Sequence, residues 1–112
     1  MTPVTQHEPR EHSVAIDVNE RGFVYTTQDD KNGVSITVRR GDRVKWNSDH
    51  GNFSVLFKAN SPFADIAFHG RRGAHTIAAT VVGQPGSYHY AVTVALPDGG
   101  LIVDDPEVII GD

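Results

Sequence analysis

Gly86-Ser87-Tyr88-His89-Tyr90-Ala91-Val92-Thr93-Val94 decides the fold. Tyr88, Tyr90, Val92 and Val94 recur at every second position, and the residues between them are smaller or more polar. Successive side chains of a strand point to opposite faces of a sheet, so a period of two marks a strand with one buried face. Gly83-Gln84-Pro85-Gly86 supplies the turn that leads into it.

Outward from that strand the same period returns several times. Val14, Ile16 and Val18 alternate within Ser13 to Val18. Val34, Ile36 and Val38 precede the Gly41-Asp42 turn, and Val44 and Trp46 follow it. Phe53, Val55 and Phe57 share one face after Gly51-Asn52, and Ile77, Ala79 and Val81 share one within His75 to Val82. Phe23 to Thr27, rich in aromatic and β-branched residues, adds a strand before the polar loop Gln28 to Gly33. Leu101 to Val103 and Val108 to Ile110, after the turn Pro97 to Gly100, complete a count of eight or nine. Lys58 to Ala74 is the longest irregular stretch; Ser61-Pro62 predicts the start of a short helix there, and Gly70 and Gly73 its end. Many short strands punctuated by turns, with no long helix, predict an all-β sandwich.

The chain has 112 residues, enough for one domain with a hydrophobic core and too few for two ordinary ones. We place a polar, mobile arm at 1–11 and the domain at 12–112; His7 and His12 group with the arm. A net charge of −4 provides no broad basic surface to displace counterions from a phosphate backbone, which argues against nucleic-acid binding. There is no cysteine, so disulfides, thiolate metal sites and cysteine nucleophiles are excluded. No run approaches the roughly 20 apolar residues of a membrane helix, and membrane insertion is not expected. The first twenty residues lack the apolar centre of a secretion signal, which leaves a cytoplasmic protein or a mature exported form.

From about Val34 onward the chain resembles the cupredoxin family, the Greek-key sandwiches that include plastocyanin. The resemblance lies in a strand ending at Val38, then Arg39-Arg40-Gly41-Asp42 and Val44-Lys45-Trp46-Asn47, then Phe53-Ser54-Val55-Leu56-Phe57 and Gly86-Ser87-Tyr88-His89-Tyr90. It implies about eight strands in two sheets. The type-1 copper ligands of the family would fall at Phe53, Val92, Ala95 and a site near Gly99 or Gly100. A blue-copper centre takes a thiolate and two imidazoles, and hydrocarbon side chains offer no lone pairs. The resemblance therefore carries the fold and leaves its usual electron-transfer function behind.

Imidazole and carboxylate can bind copper or zinc without a thiolate. His50, beside Asp49, would be the first member of such a site, with His69 or His75 as helper, but no pair has the spacing of a metal-binding strand or helix. His89, between Tyr88 and Tyr90, points away from the face they bury. Arg40-Gly41-Asp42 spells an adhesion tripeptide and is explained by turn chemistry. Asp104-Asp105-Pro106-Glu107 groups three carboxylates without the pattern of a calcium loop, and reads as a turn that starts a strand. No nucleophile elbow or zinc-protease motif joins Ser, His and Asp.

These readings predict a non-catalytic binding or interaction module, with no cofactor, that meets a protein partner at the loop end of the sandwich. The loops are Ser48 to Asn52, Ser61 to His75 and Ala95 to Gly100, and the candidate contacts are His50, Asn52, His69, Arg71 and Arg72. A histidine- and carboxylate-based copper or zinc carrier is the alternative, and a cofactor-free enzyme the third reading.

Overall fold

A computed structural model describes residues 8–19, 22–27, 35–95, 101–104 and 106–111. Most of the alternating runs become strands, and the described residues contain no helix. In order these are β1 (Glu11–Asn19), β2 (Gly22–Thr27), β3 (Ser35–Val38), β4 (Arg43–Asn47) and β5 (Phe53–Phe57). β6 (Ala67–Gly70), β7 (Ala79–Thr80), β8 (Gly86–Ala95), β9 (Leu101–Asp104) and β10 (Glu107–Ile110) follow. They form two mixed sheets, one in the order β2-β1-β4-β7 and the other β3-β10-β8-β5-β6, with β9 also on β8. The loops Gln28 to Gly33 and Leu96 to Gly100 lie outside the described residues.

The inward faces supply the core. Val14, Ile16, Val44 and Trp46 of the first sheet, and Val55, Phe57, Tyr90, Val92, Val94, Val108 and Ile110 of the second, are all buried. Trp46 occupies the centre, with Phe57, Phe63, Phe68 and Tyr90 at ring separations of 5.5 to 6.4 Å. Its indole N–H donates to the Tyr90 hydroxyl at 3.3 Å, so the polar atoms of the two largest core rings satisfy each other.

Three local expectations are corrected. Ser61 starts no helix. Its hydroxyl accepts from Phe63 N and donates to Asp65 O, closing a tight turn, and Phe63 and Phe68 then draw the chain into the core. Ala67–Gly70 becomes a strand against β5.

Within His75 to Val82 only Ala79–Thr80 is a strand, preceded by a single bridge from His75 to Asn47. Thr76 exchanges hydrogen bonds with Trp46: its amide donates to the Trp46 carbonyl, and its hydroxyl accepts from the Trp46 amide. Thr76 therefore takes a buried position and Ile77 turns to solvent, 86% exposed. A one-residue shift of this kind exchanges the faces.

At the turn expected over Asp104 to Glu107, Asp104 ends β9 and Glu107 opens β10. β9 and β10 keep one register along β8, with Val92 opposite Asp104 and His89 opposite Glu107, and Tyr90 N donates to Pro106 O. Proline interrupts the ladder because it lacks an N–H, while its fixed φ suits a strand. Asp105 lies outside the described residues. The Glu107 carboxylate accepts from the hydroxyls of Ser35 and Ser87 and lies 3.5 Å from His89 Nε2.

The end of the expected arm belongs to the sheet. Glu11 opens β1, and His12 pairs in register with Val44 of β4. Asp42, 1% exposed, accepts from Arg10 N at 3.0 Å, Arg39 N at 3.1 Å and His12 Nε2 at 2.9 Å. Its burial also withdraws the carboxylate of Arg40-Gly41-Asp42 from any receptor. Residues 1–7, His7 among them, lie outside the described residues. Beside this contact Lys45 Nζ lies 2.8 Å from Glu11 and Arg43 3.6 Å away. The Lys45 hydrogen bond and charge, with a smaller effect of Arg43, hold the Glu11 carboxyl below its ordinary value.

Candidate functional site

Of the positions that the resemblance assigns to copper ligands, Phe53 and Ala95 border one groove, Val92 does not, and the site near Gly99 or Gly100 lies outside the described residues. Phe53 opens β5 with its ring buried, Val92 is fully buried beside Val55 in the middle of β8, and Ala95 is exposed at the end of β8. The Phe53 ring lies where a Cβ on Gly70 would have to stand, so hydrocarbon fills that corner of the sandwich. None of the three side chains offers a lone pair to a cation.

The loops around this corner are tied to one another by the chain itself. Gly73 N donates to Ser48 O at 2.7 Å, and Ala95 N donates to Asn52 O at 2.9 Å. Arg72 joins both sides of the 48–52 loop: its amide donates to Asn52 Oδ1 at 3.0 Å and its Nε to Asp49 O at 2.8 Å. Gly51 permits the close approach, since a Cβ there would overlap the Ala95 carbonyl oxygen.

The histidines disperse to separate partners. His50 Nε2 lies 3.4 Å from Asp17 on β1, His69 Nδ1 shares a 2.9 Å hydrogen bond with Ser54 Oγ, and His75 bridges to Asn47 through its backbone. His89 is exposed on the outer face, as its place between two tyrosines predicts. Among the described residues no three His, Cys, Asp or Glu side chains are grouped to hold a metal ion.

What the fold does assemble is a groove of about 410 Å³ where β5 begins and β6 and β8 end. Asn52, Ser54, His69, Arg71 and Thr93 line it, with Phe53, Gly70 and Ala95. Asn52, His69 and Arg71 thus come together from the five candidate contacts. Arg72 is used as a strut behind them, and His50 turns to β1.

Ser54 and Thr93 escaped sequence reasoning. They reach the groove because Ser54 stands opposite His69 on one side and Thr93 on the other. The signal was present in the outward positions of Phe53-Ser54-Val55 and Val92-Thr93-Val94, but the pairing with His69 requires β6. Among the described residues no carboxylate lines the groove. Side-chain donors without a partner among the described residues remain at Arg71, at Asn52 Nδ2 and on the Nε2 side of His69. The arrangement suits an acceptor-rich ligand.

A second groove, of about 500 Å³, separates β6 from the 76–82 segment. Phe63, Ala67, Phe68, Ile77, Ala79 and Val82 make much of its wall apolar. In comparisons with known proteins, no family model and no characterised sequence matches this chain.

Proposed function

We propose that the chain is a Greek-key, cupredoxin-like sandwich without a type-1 copper centre, and that it works as a non-catalytic binding module. A partner protein docks on the end formed by the 48–52 loop, the 70–75 loop and the last residues of β8. The observation that carries this reading is the groove beside the loops that Arg72 joins. Among the described residues, side-chain donors of Arg71, Asn52 and His69 that line it have no partner. Hydrocarbon at Phe53, Val92 and Ala95 supports the absence of type-1 copper chemistry.

The test has two arms. Copper(II) added to the purified protein leaves the solution without the intense visible band of a thiolate-to-copper transition; appearance of that band refutes the copper-free reading. In the second arm the immobilised chain captures a partner, and the double substitution Arg71→Ala with His69→Ala releases it while the fold persists. Capture indifferent to both substitutions removes this surface.

A further inference from the structure

We propose that the free edge of β6 takes an extended segment of a partner protein as an added strand, with acidic and apolar residues alternating along it. This rests on the partner-binding reading above and names the chemistry of the partner. Three independent features of β6 point to it.

The first is the edge itself. Among the described residues β6 neighbours β5 alone, at the border of its sheet. Phe57 N donates to Ile66 O at 2.8 Å, and an antiparallel ladder alternates, so residues 66, 68 and 70 exchange hydrogen bonds with β5. Ala67 and His69 consequently turn their N–H and C=O groups away from β5. Among the described residues these groups have no backbone partner on that side. An unpaired strand edge is a template for an incoming strand, and main-chain hydrogen bonds supply affinity in that mode of recognition.

The second is charge. On the outer face the edge borders the groove at the end of β6, whose Arg71, His69 and Asn52 donors meet no carboxylate among the described residues. At the other end of β6 stands Asp65, on the wall of the apolar groove. Residues Asp65 and Arg71 are six steps apart, roughly 20 Å in an extended chain. Negative charge on an added strand is therefore favoured at the Arg71 end and opposed at the Asp65 end, which gives the interaction a polarity.

The third is the inner side. The same edge borders the apolar groove against the 76–82 segment, where Ile77 is 86% exposed and Val82 50%. A strand added to β6 directs alternate side chains to the two faces of the sheet. Those on the outer face meet Arg71 and His69; those on the inner face meet Phe63, Phe68, Ile77 and Val82. Acidic and apolar residues in alternation satisfy both, whereas a wholly acidic or wholly apolar segment satisfies one.

The experiment titrates the full chain with a labelled octapeptide of alternating glutamate and valine, blocked at both ends, by fluorescence anisotropy and amide chemical shifts. Binding is expected, with shifts concentrated in β5, β6 and the 76–82 segment. Arg71→Ala should weaken it about tenfold, the loss of one charge-assisted hydrogen bond. Ala67→Pro should abolish it, because it deletes an outward N–H while leaving the ladder to β5 in place.

Should Ala67→Pro fail to fold, a peptide N-methylated at the residues facing β6 carries the same test against the unaltered protein, and it should not bind. Absence of binding up to millimolar peptide overturns the proposal. So does binding unchanged by N-methylation, equal binding of the lysine and valine counterpart, or self-association of the chain through β6 in sedimentation. If the partner captured above depends on Arg71 and the octapeptide does not bind, the added strand is wrong and the docking surface stands. If capture itself is indifferent to Arg71 and His69, the surface fails first.

Discussion

Asp42→Asn removes a charge while keeping shape, and its cost follows from the three hydrogen bonds quoted above. In the wild type Oδ1 accepts from Arg10 N, and Oδ2 accepts from Arg39 N and faces His12 Nε2. Asparagine has one oxygen. Whichever way its amide turns, an NH2 group confronts a backbone N–H, leaving that donor unpaired in a site that is 1% exposed. Hydrogen bonds to a charged acceptor contribute about 1.5–3 kcal/mol, and stranding a buried donor costs about 1–3 kcal/mol. The expected loss is about 3 kcal/mol, or a fall of about 12 °C in Tm for a domain of this size.

Urea denaturation measures it, with the m-value unchanged if the transition stays two-state. His12→Ala should cost far less in the Asp42→Asn background than in the wild type, because its partner is already compromised. A loss below about 1 kcal/mol, or strictly additive substitutions, would refute the picture of β1 stapled to the β3–β4 turn through one buried carboxylate.

Two further outcomes follow from particular contacts. Glu11 has a folded-state pKa below its ordinary value of 4.5, chiefly through Lys45, so its contribution to stability is complete above that value and lost as pH falls through the folded pKa. Urea midpoints of wild type and Glu11→Gln should therefore differ at neutral pH, converge in acid and draw together in high salt; a gap that widens in acid contradicts the pairing. Gly70→Ala drives a methyl group into the Phe53 ring and should cost about 1–3 kcal/mol by overpacking. Phe53→Leu should recover part of that cost when the two are combined, and strict additivity in denaturation would show that the ring is not what Gly70 accommodates.

The fold was legible wherever a strand buries several apolar residues in alternation. β5 was bounded to the residue, and β3, β4 and β8 nearly so, because Ile36, Val38, Val44, Trp46, Phe53, Val55, Phe57, Tyr90, Val92 and Val94 all face the core. β6 was missed for the converse reason. Of Ala67-Phe68-His69-Gly70 only Phe68 is a buried large residue, and one apolar position carries no period. The 75–82 segment misled because Ile77 and Val81 appear to alternate, whereas the hydroxyl of Thr76 meets the Trp46 amide and sends Ile77 outward. The proline of Asp104 to Glu107 predicts a turn from sequence, and it hides that the strands on its two sides keep one register along β8.

The elements hidden from the pattern are also the ones that build the candidate site. Core positions repeat because hydrophobic burial is indifferent to the partner across the sheet; outward positions such as Ser54, Thr93 and His69 acquire meaning only through register. Of the five contacts chosen from the loops, the ones that meet in the groove are those flanking β6 or set against it. Arg72, equivalent to Arg71 by sequence, commits its backbone amide to Asn52 Oδ1 and its Nε to Asp49 O. That division of labour between adjacent arginines matters for function. The loop end is joined by its own hydrogen bonds. The ordering cost of binding is then met on folding, and Arg71 is left with its charge available to a partner.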